Sequence, residues 1–188
     1  MQIIIFGLIA FLAILLNILS NQGYFNVADR FLWKQTINII SQKQPVKASI
    51  PSINVESGIE RVGVDAAGKM QAPSTPKIIS WYQFGALAGE KGNVVLSGHR
   101  DSTFGPGVFY TLENVKTGNP IIITDAKNNV FTYTITHVET VESQFLPVKE
   151  IFSDQKKEKL LYVVTCAGKF DFFKKSYDRR VLVKAQIQ

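Results

Sequence analysis

A single cysteine, a histidine and a pair of arginines follow or open apolar runs, and together they could carry out acyl transfer. Cys166 follows an apolar run in VVTCAG, and His99 follows another in VVLSGHRDS. Arg179 and Arg180 open the last such run, RRVLVKA. A thiolate is a strong nucleophile, an imidazole can protonate a leaving amine, and a guanidinium can stabilise an oxyanion. These residue types predict a cysteine-dependent acyl-transfer site.

Each of these residues, taken alone, has a plainer interpretation. A lone cysteine is by default a small buried apolar side chain, and a strand-initial arginine is usually a solvated charge. Chemistry is favoured because three capable side chains each stand at an end of a predicted strand, where a scaffold can hold them rigidly. The other histidine, His137 in ITHVET, has no aspartate or cysteine placed with it, so a structural role is expected.

Composition and charge exclude several classes of function. The chain has 188 residues and a net charge of +6, and its basic residues are scattered apart from a short cluster at Lys156, Lys157 and Lys159. No run of arginine alternates with aromatic residues, so a solvated basic face is expected rather than a nucleic-acid site. One cysteine permits no intrachain disulfide. Two histidines and one cysteine without ligand spacing predict neither a metal site nor a cofactor.

The N-terminal part of the chain is apolar and uncharged up to Asp29, with its densest stretch from Ile3 to Ile18. A run of about twenty apolar residues is long enough to cross a bilayer. No basic region precedes it and no convincing cleavage site follows it, so residues 1–22 are predicted to be an uncleaved transmembrane signal anchor. Arg30 and Lys34 follow the run, and these charges alone lean towards an inside location for the rest of the chain.

Residues 23–49 are predicted to form a stalk and a linker, and residues 50–188 a mostly β domain. The region around the linker is polar and contains two prolines, SQKQPVKASIPS. Beyond it, short apolar runs broken by turn residues predict a closed or nearly closed β-barrel with a few short helices. The turn Asp125–Asn129 predicts a β-hairpin, and LLYVVT suits a strand buried on both faces. Predicted strands are Ile53–Val55, Arg61–Val64, Gly92–Ser97, Pro120–Thr124, Val130–His137, Lys159–Thr165 and Arg180–Ile187, and predicted helices are Ile79–Phe84, Phe109–Leu112 and Val148–Phe152.

The motifs around these residues resemble those of the sortase family. Histidine, then cysteine after threonine, then arginine leading an apolar strand is the order found in that family. The stretches SGHRDSTFGPGVFYTL and VVTCAGKFDFFKKSYDRRVLVKA are most similar to class F sortases, which carry SGH-x-DS, GP-x-VFY and TC-x-G-x-FD patterns. The resemblance runs from about Ile50 to Ala185. One departure is that class F sequences often have Asp-Asn where this chain has Arg179-Arg180.

The resemblance implies a sortase-type β-barrel held by one N-terminal transmembrane helix, with an extracellular catalytic domain on the cell membrane. It implies a cysteine transpeptidase that cleaves an LPXTG-like sorting signal of a secreted protein. Cys166 would form a thioacyl enzyme, which an amine of a cell-wall precursor or of another protein would resolve. His99 carries over as the general acid/base and Arg180 as the group that steadies substrate and oxyanion, with Arg179 as the alternate. Thr165 carries over as a further substrate-binding residue.

Other functions fit the sequence less well. A papain-like hydrolase places cysteine before histidine, and L,D-transpeptidases place histidine two residues before cysteine, where this chain has valine. Transfer and hydrolysis of the thioacyl enzyme both stay open. The alternative from another class is a non-enzymatic, membrane-anchored β-domain for binding or envelope structure, with Cys166 buried and unreactive and His99 dispensable. Phe170, Phe172 and Phe173 suit either a substrate groove or the core.

Overall fold

The structure, a computed structural model, describes residues 42–155 and 157–187. The predicted transmembrane anchor at residues 1–22 lies outside the described residues. Within the described ranges, no helix is long and apolar enough to cross a membrane. The strands are β1 (Pro45–Ile50), β2 (Val55–Val62), β3 (Ile79–Tyr82), β4 (Gly92–Gly98), β5 (Asp101–Ser102), β6 (Gly105–Pro106), β7 (Pro120–Asp125), β8 (Val130–Glu142), β9 (Lys159–Asp171) and β10 (Ser176–Gln186). The short helices are the 3-10 turns η1 (Pro51–Ile53), η2 (Leu112–Asn114) and η3 (Ser143–Phe145), and the α-helix α1 (Val148–Ile151).

Eight strands close into a barrel in the order β1-β2-β3-β4-β9-β10-β8-β7, while β5 and β6 form a separate two-stranded sheet. Neighbouring barrel strands are antiparallel except for two parallel pairs, β2 with β3 and β4 with β9. The predicted closed β-barrel is therefore confirmed, and so is the hairpin of β7 and β8. Because β4 and β9 are parallel, their C-terminal ends lie at the same end of the barrel.

Strands β4, β9 and β10 bury apolar side chains on both faces. Residues such as Val94, Val163 and Trp81 belong to the cluster that fills the barrel. Strand residues alternate between faces, so their neighbours on β4, β9 and β10 lie on the outer face. There a second cluster forms with Ile151 of α1, and it comprises Val95, Ile151, Leu160, Tyr162 and Leu182. The run LLYVVT is thus buried on both sides over its first part, as its composition predicts.

Polar contacts fix α1 over this outer face. The Tyr162 hydroxyl donates to Glu150 Oε1 at 2.7 Å, and Lys184 Nζ donates to the same oxygen at 2.9 Å. Burial, together with the hydrogen bond to Glu150, raises the pKa of Tyr162 to about 12, so its phenol stays protonated. The Asn93 side-chain amide donates to the carbonyl oxygens of Glu150 and Ile151 at 2.8 and 3.1 Å. These contacts hold the segment before β9 against the outer face of the barrel.

The helix predicted at Ile79–Phe84 is wrong, because Ile79–Tyr82 form β3 between β2 and β4. Ile79 and Trp81 are buried in the barrel, while the Ser80 hydroxyl bonds to the Ser97 hydroxyl at 2.7 Å. A run of four such residues fits helical and strand periodicity equally well, and the parallel pairing with β2 decides the outcome.

The polar segment around residues 41–52, predicted as a linker, contains β1. This strand pairs with β2 and β7 and buries Ala48 and Ile50 inside the barrel. Pro45 is the first residue of the strand and Pro51 follows its end, positions at which proline costs no ladder hydrogen bond. The two prolines, which suggested a linker, mark the limits of a short strand instead.

Two other predicted elements have different outcomes. Of the helix predicted at Phe109–Leu112, residues 109–111 form a turn and Leu112 begins η2. The helix predicted near Val148–Phe152 is confirmed as α1.

Candidate active site

Cys166 and Arg180 lie side by side on β9 and β10, and His99 directly follows β4, the strand on the other side of β9. Cys166 on β9 is directly opposite Arg180 on β10, and directly opposite residues of an antiparallel pair point to the same face. In the parallel pairing of β4 with β9, Ser97 is level with Val164. This ladder ends with that pair and β4 ends at Gly98, so His99 is the first residue after the strand. Cys166 and Arg180 therefore share the outer face of the barrel, and His99 begins the loop that leaves the neighbouring strand.

The Cys166 thiol is free and only partly buried. Burial raises the pKa of this thiol above its ordinary value, and the nearby Asp101 carboxylate acts in the same direction. The guanidinium groups of Arg180 and Arg100 lower the pKa and offset part of that rise. The thiol is therefore predominantly protonated at neutral pH, and its thiolate fraction depends on the charges around it.

The Arg180 guanidinium is held by neutral oxygen atoms. Its Nη1 donates to the Ser143 hydroxyl at 2.8 Å and to the carbonyls of Tyr177 and Arg179 at 2.8 and 2.7 Å. Its Nη2 donates to the Ser176 hydroxyl at 3.1 Å. None of these described partners is a carboxylate, so the positive charge is held in place without being neutralised.

Arg179, the alternate arginine, occupies a different position. It is opposite Ala167, a residue of the barrel core, and its side chain is exposed. Neighbouring strand residues point to opposite faces, so Arg179 and Arg180 cannot both face Cys166. The strand register places Arg180, and not Arg179, beside the thiol.

The Cys166 position itself differs from the prediction, because the residue does not end its strand. β9 continues to Asp171, and β10 begins at Ser176, several residues before the arginines. The added part of the hairpin, rich in lysine and phenylalanine, has no apolar alternation to reveal it. A register shift between Tyr177 and Arg179 interrupts this hairpin.

Thr165 points into the barrel, away from the nucleophile. Its hydroxyl is buried and donates to the Gly98 carbonyl at 2.8 Å, which ties β9 to the residue before His99. A Cβ at Gly98 would lie 2.6 Å from the Phe109 ring, so close packing requires glycine here rather than the tight turn that the sequence suggested. The predicted substrate-binding role of Thr165 stays a prediction, and any direct contact would come from its backbone.

The His99 ring lies against the loop between β2 and β3. Its Nε2 is 3.4 Å from the Pro73 carbonyl oxygen, which can only accept a hydrogen bond. A hydrogen bond here requires a proton on Nε2. The loop is fixed because the Glu60 carboxylate accepts hydrogen bonds from the backbone N–H and the hydroxyl of Ser74.

A hydrogen bond between Tyr177 and Asp101, which sequence reasoning missed, lies beside Cys166. The Tyr177 hydroxyl donates to Asp101 Oδ1 at 2.5 Å, and Arg100 Nε is 3.7 Å from Asp101 Oδ2. This hydrogen bond is the main cause that raises the pKa of Tyr177 to about 12. It joins the β5–β6 hairpin to β10. The two residues are 76 positions apart, and no local pattern pairs them.

The family of the chain follows from a sequence comparison that agrees with this geometry. A family model described as the sortase domain matches residues 49–188. The chain belongs to the sortase family. Sortases are cysteine transpeptidases, which accords with one cysteine held opposite an arginine on a barrel strand.

Solved structures share the fold of this sortase at low identity. Sortase C1 from Streptococcus agalactiae aligns with a TM-score of 0.58 at 20% identity, over 87% of this chain and 77% of that chain. The lid mutant of sortase A from Corynebacterium diphtheriae aligns at 0.58 and 22%, over 87% and 81%. A Clostridium perfringens sortase D5 transpeptidase aligns at 0.57 and 21%, over 82% and 86%. These neighbours carry different class names, so they support the sortase fold without selecting a class. No curated protein sequence matches the chain.

Two further questions from the sequence concern a metal site and the second histidine, His137. In the described part of the sortase, no group of three or more histidine, cysteine, aspartate or glutamate side chains could hold a metal ion. His137 is exposed on β8, with Nε2 3.6 Å from Glu139 Oε2. This placement is compatible with the structural role expected for it.

We expect Asp101→Asn to make the Cys166 thiol react faster with iodoacetamide at neutral pH. The carboxylate of Asp101 raises the pKa of Cys166, so its removal should lower that pKa, while asparagine still offers an oxygen to Tyr177. Alkylation rates measured from neutral to alkaline pH should shift towards lower pH.

Glu113→Gln is the matched control for this charge. Glu113 Oε2 also lies near Arg100, 3.6 Å from Nη1, but it is not among the charges that act on the Cys166 pKa. Its alkylation profile should equal that of the wild type. An unchanged profile in Asp101→Asn, or a shift towards higher pH, would contradict the assigned electrostatics.

Gly168 lies in the bulge between the pairs Tyr177–Phe170 and Arg179–Ala167, and we expect Gly168→Ala to destabilise the sortase by about 1–3 kcal/mol. Gly168 has φ +81°, and a Cβ there would lie 2.0 Å from Asp178 Oδ1. That oxygen accepts the Lys169 N–H at 2.7 Å and closes the bulge. The free energy of unfolding in urea measures the loss. Gly118→Ala, with φ +88° and open space around it, should cost only the backbone strain. Equal losses in both variants would show that the Asp178 contact is unimportant.

Proposed function

We propose that this sortase is a transpeptidase that cleaves an LPXTG-like sorting signal of secreted proteins and transfers the acyl group to an amine. The observation that carries the proposal is the strand register that sets Cys166 opposite Arg180, with His99 directly after the neighbouring strand β4. Cys166 is the nucleophile, His99 the general acid/base, and Arg180 the residue that stabilises charge. We further propose a class F sortase, because the motifs around His99 and Cys166 resemble that class.

The chemistry follows from the residue types of Cys166, Arg180 and His99. His99 accepts the Cys166 thiol proton as the sulfur attacks the threonine carbonyl carbon of the signal, and the C–S bond forms as the carbonyl oxygen becomes an oxyanion. Arg180 stabilises this charge, and its own neutral partners keep the guanidinium in place. His99 then protonates the leaving amine as the C–N bond breaks. An acceptor amine then attacks the thioacyl carbon, the new C–N bond forms and the C–S bond breaks. The proton lost by the amine passes through His99 to the Cys166 thiolate.

We propose that the peptide lies along the outer face of the barrel beside Cys166. Two residues before Cys166 on β9, Val164 pairs with Ser97 of β4 and with Leu182 of β10. Ser97 and Val164 are partly exposed. Leu146, between η3 and α1, packs against the same outer apolar cluster as Leu182. In this proposal these apolar residues contact the uncharged side chains that precede the scissile bond of the signal.

The proposed location is the outer surface of a bacterial cell membrane, with residues 1–22 as the single transmembrane anchor. The apolar N-terminal sequence supports an anchor, and the family's action on secreted proteins supports an outside domain. The proposed partners are secreted proteins with a C-terminal sorting signal and an amine acceptor from a cell-wall precursor or another protein.

The test is intact mass spectrometry of the full chain in detergent after incubation with an LPXTG-type peptide. The full chain is needed because β1 begins at Pro45, so a fragment cut at residue 50 would lose a barrel strand. A mass increase equal to the acyl part of the peptide establishes the thioacyl enzyme. No adduct across a panel of sorting peptides, together with a thiol that iodoacetamide does not label, would favour the non-enzymatic binding domain instead.

A further inference from the structure

The tip of the β9–β10 hairpin, residues 169–175, exposes aromatic rings to solvent. Phe172 is 81% and Phe173 101% exposed, and Phe170 is 41% exposed. The rings form a cluster, since the Phe170 centroid is 5.2 Å from that of Phe172 and 5.2 Å from that of Tyr177. Their exposure excludes the core position that the sequence left open. Contiguous exposed apolar side chains on a soluble surface mark an interaction site.

Lysines surround these rings. Lys169, Lys174 and Lys175 lie in the same seven residues, and Asp171 is the one carboxylate among them. Asp171 turns inward to the hairpin, where Oδ1 accepts the backbone N–H groups of Phe173 and Lys174, and Oδ2 is 3.7 Å from Lys174 Nζ. The tip is therefore both aromatic and net positive.

We infer that this tip docks onto the anionic headgroup layer of a lipid bilayer, with Phe172 and Phe173 entering the interface. Protein–protein interfaces are depleted in lysine. Segments that lie on membranes instead combine phenylalanine with lysine, because the rings enter the headgroup boundary while the ammonium groups attract anionic lipid. The composition of the tip matches the membrane case, and its charge complements an anionic surface.

A second exposed ring lies at the same end of the barrel. Phe104, 97% exposed, is in the β5–β6 hairpin that follows β4. The parallel strands β4 and β9 end on the same side, and the Tyr177–Asp101 hydrogen bond joins this hairpin to β10. Docking of this end would hold the mouth of the Cys166 site towards the membrane surface. The inference goes beyond the proposed function, since it does not require an active thiol.

The test uses the full chain with a spin label at one new cysteine. Cys166 is the only cysteine, so Cys166→Ala gives a background without thiols. In it, Phe173→Cys reports on the tip, and Val130→Cys, at a position 62% exposed where β8 begins, reports on the opposite end of the barrel. Each labelled chain is reconstituted in phosphatidylcholine vesicles with or without phosphatidylglycerol, and collisions with membrane-soluble oxygen and with a water-soluble nickel chelate are compared.

The label at 173 should gain oxygen collisions and lose nickel collisions when phosphatidylglycerol is present, while the label at 130 should not change. Replacing Lys169, Lys174 and Lys175 by glutamine should lower the ratio of docked to free tip about fivefold for each lysine. A label at 173 as exposed to nickel as the label at 130, in both lipids, would overturn the inference. Loss of nickel collisions without gain of oxygen collisions would also overturn it, because it would place a protein on the tip.

Discussion

Cys166→Ala will form no thioacyl adduct and will lose sorting-peptide cleavage by at least about 10⁴-fold, down to the uncatalysed background. The reason is that Cys166 is the only cysteine of the chain, and no other thiol can take over the covalent step. The measurement is single-turnover peptide cleavage, with the acyl adduct followed in the same samples by intact mass.

The loss must come from chemistry and not from misfolding. The Cys166 side chain is partly exposed on the outer face, so alanine removes few packing contacts and should change the free energy of unfolding by less than about 1 kcal/mol. Cys166→Ser adds a matched control, because a hydroxyl of the same shape lacks an accessible anion at neutral pH. Cleavage by Cys166→Ala at the wild-type rate would contradict the proposed mechanism.

Iodoacetamide labelling separates the enzyme from a plain binding domain. A binding domain predicts a thiol without reactivity, whereas the enzyme predicts labelling that is slow at neutral pH and speeds up as the pH rises. The direction follows from burial, which raises the Cys166 pKa and keeps most of the thiol protonated at rest. The rate, and not only the final extent, therefore carries the information.

Much of the barrel could be predicted from side-chain patterning. The alternation that begins at Val130 marks β8, and the apolar run LLYVVT marks the part of β9 that is covered on both faces. The errors arise where tertiary pairing decides the structure. Ile79–Tyr82 becomes a strand because β2 and β4 accept it as a neighbour, and β1 becomes a strand because it closes the barrel against β7.

In the candidate site too, local sequence predicts some residues, whereas tertiary pairing decides others. His99 and Cys166 stand next to apolar runs and in motifs that can be found by reading the sequence. The Tyr177–Asp101 bond cannot be found so, because its partners come from hairpins on different strands. The choice between two adjacent arginines also depends on the register of β9 and β10, which a bulge beyond Cys166 shifts.

Arg180→Ala should slow peptide cleavage by at least about 10²-fold, and Arg179→Ala should leave the rate within about twofold of the wild type. Arg180 is opposite Cys166, whereas Arg179 is opposite Ala167 and is exposed. Single-turnover cleavage of an LPXTG-type peptide measures both variants. The adjacent arginine is a matched control, since each variant removes one guanidinium from the same strand.

The pH profile of thiol alkylation tests the same assignment without any peptide. Arg180 lowers the pKa of Cys166, so Arg180→Ala should raise that pKa and move the profile towards higher pH. Arg180→Lys should keep most of the electrostatic effect on the thiol but recover little cleavage, because an ammonium lacks the planar set of donors that Ser143 and Ser176 hold in place. If Arg180→Ala cleaved the peptide and Arg179→Ala did not, the strand register of β9 and β10 would not describe the site during catalysis. The roles assigned to the two arginines would then be exchanged.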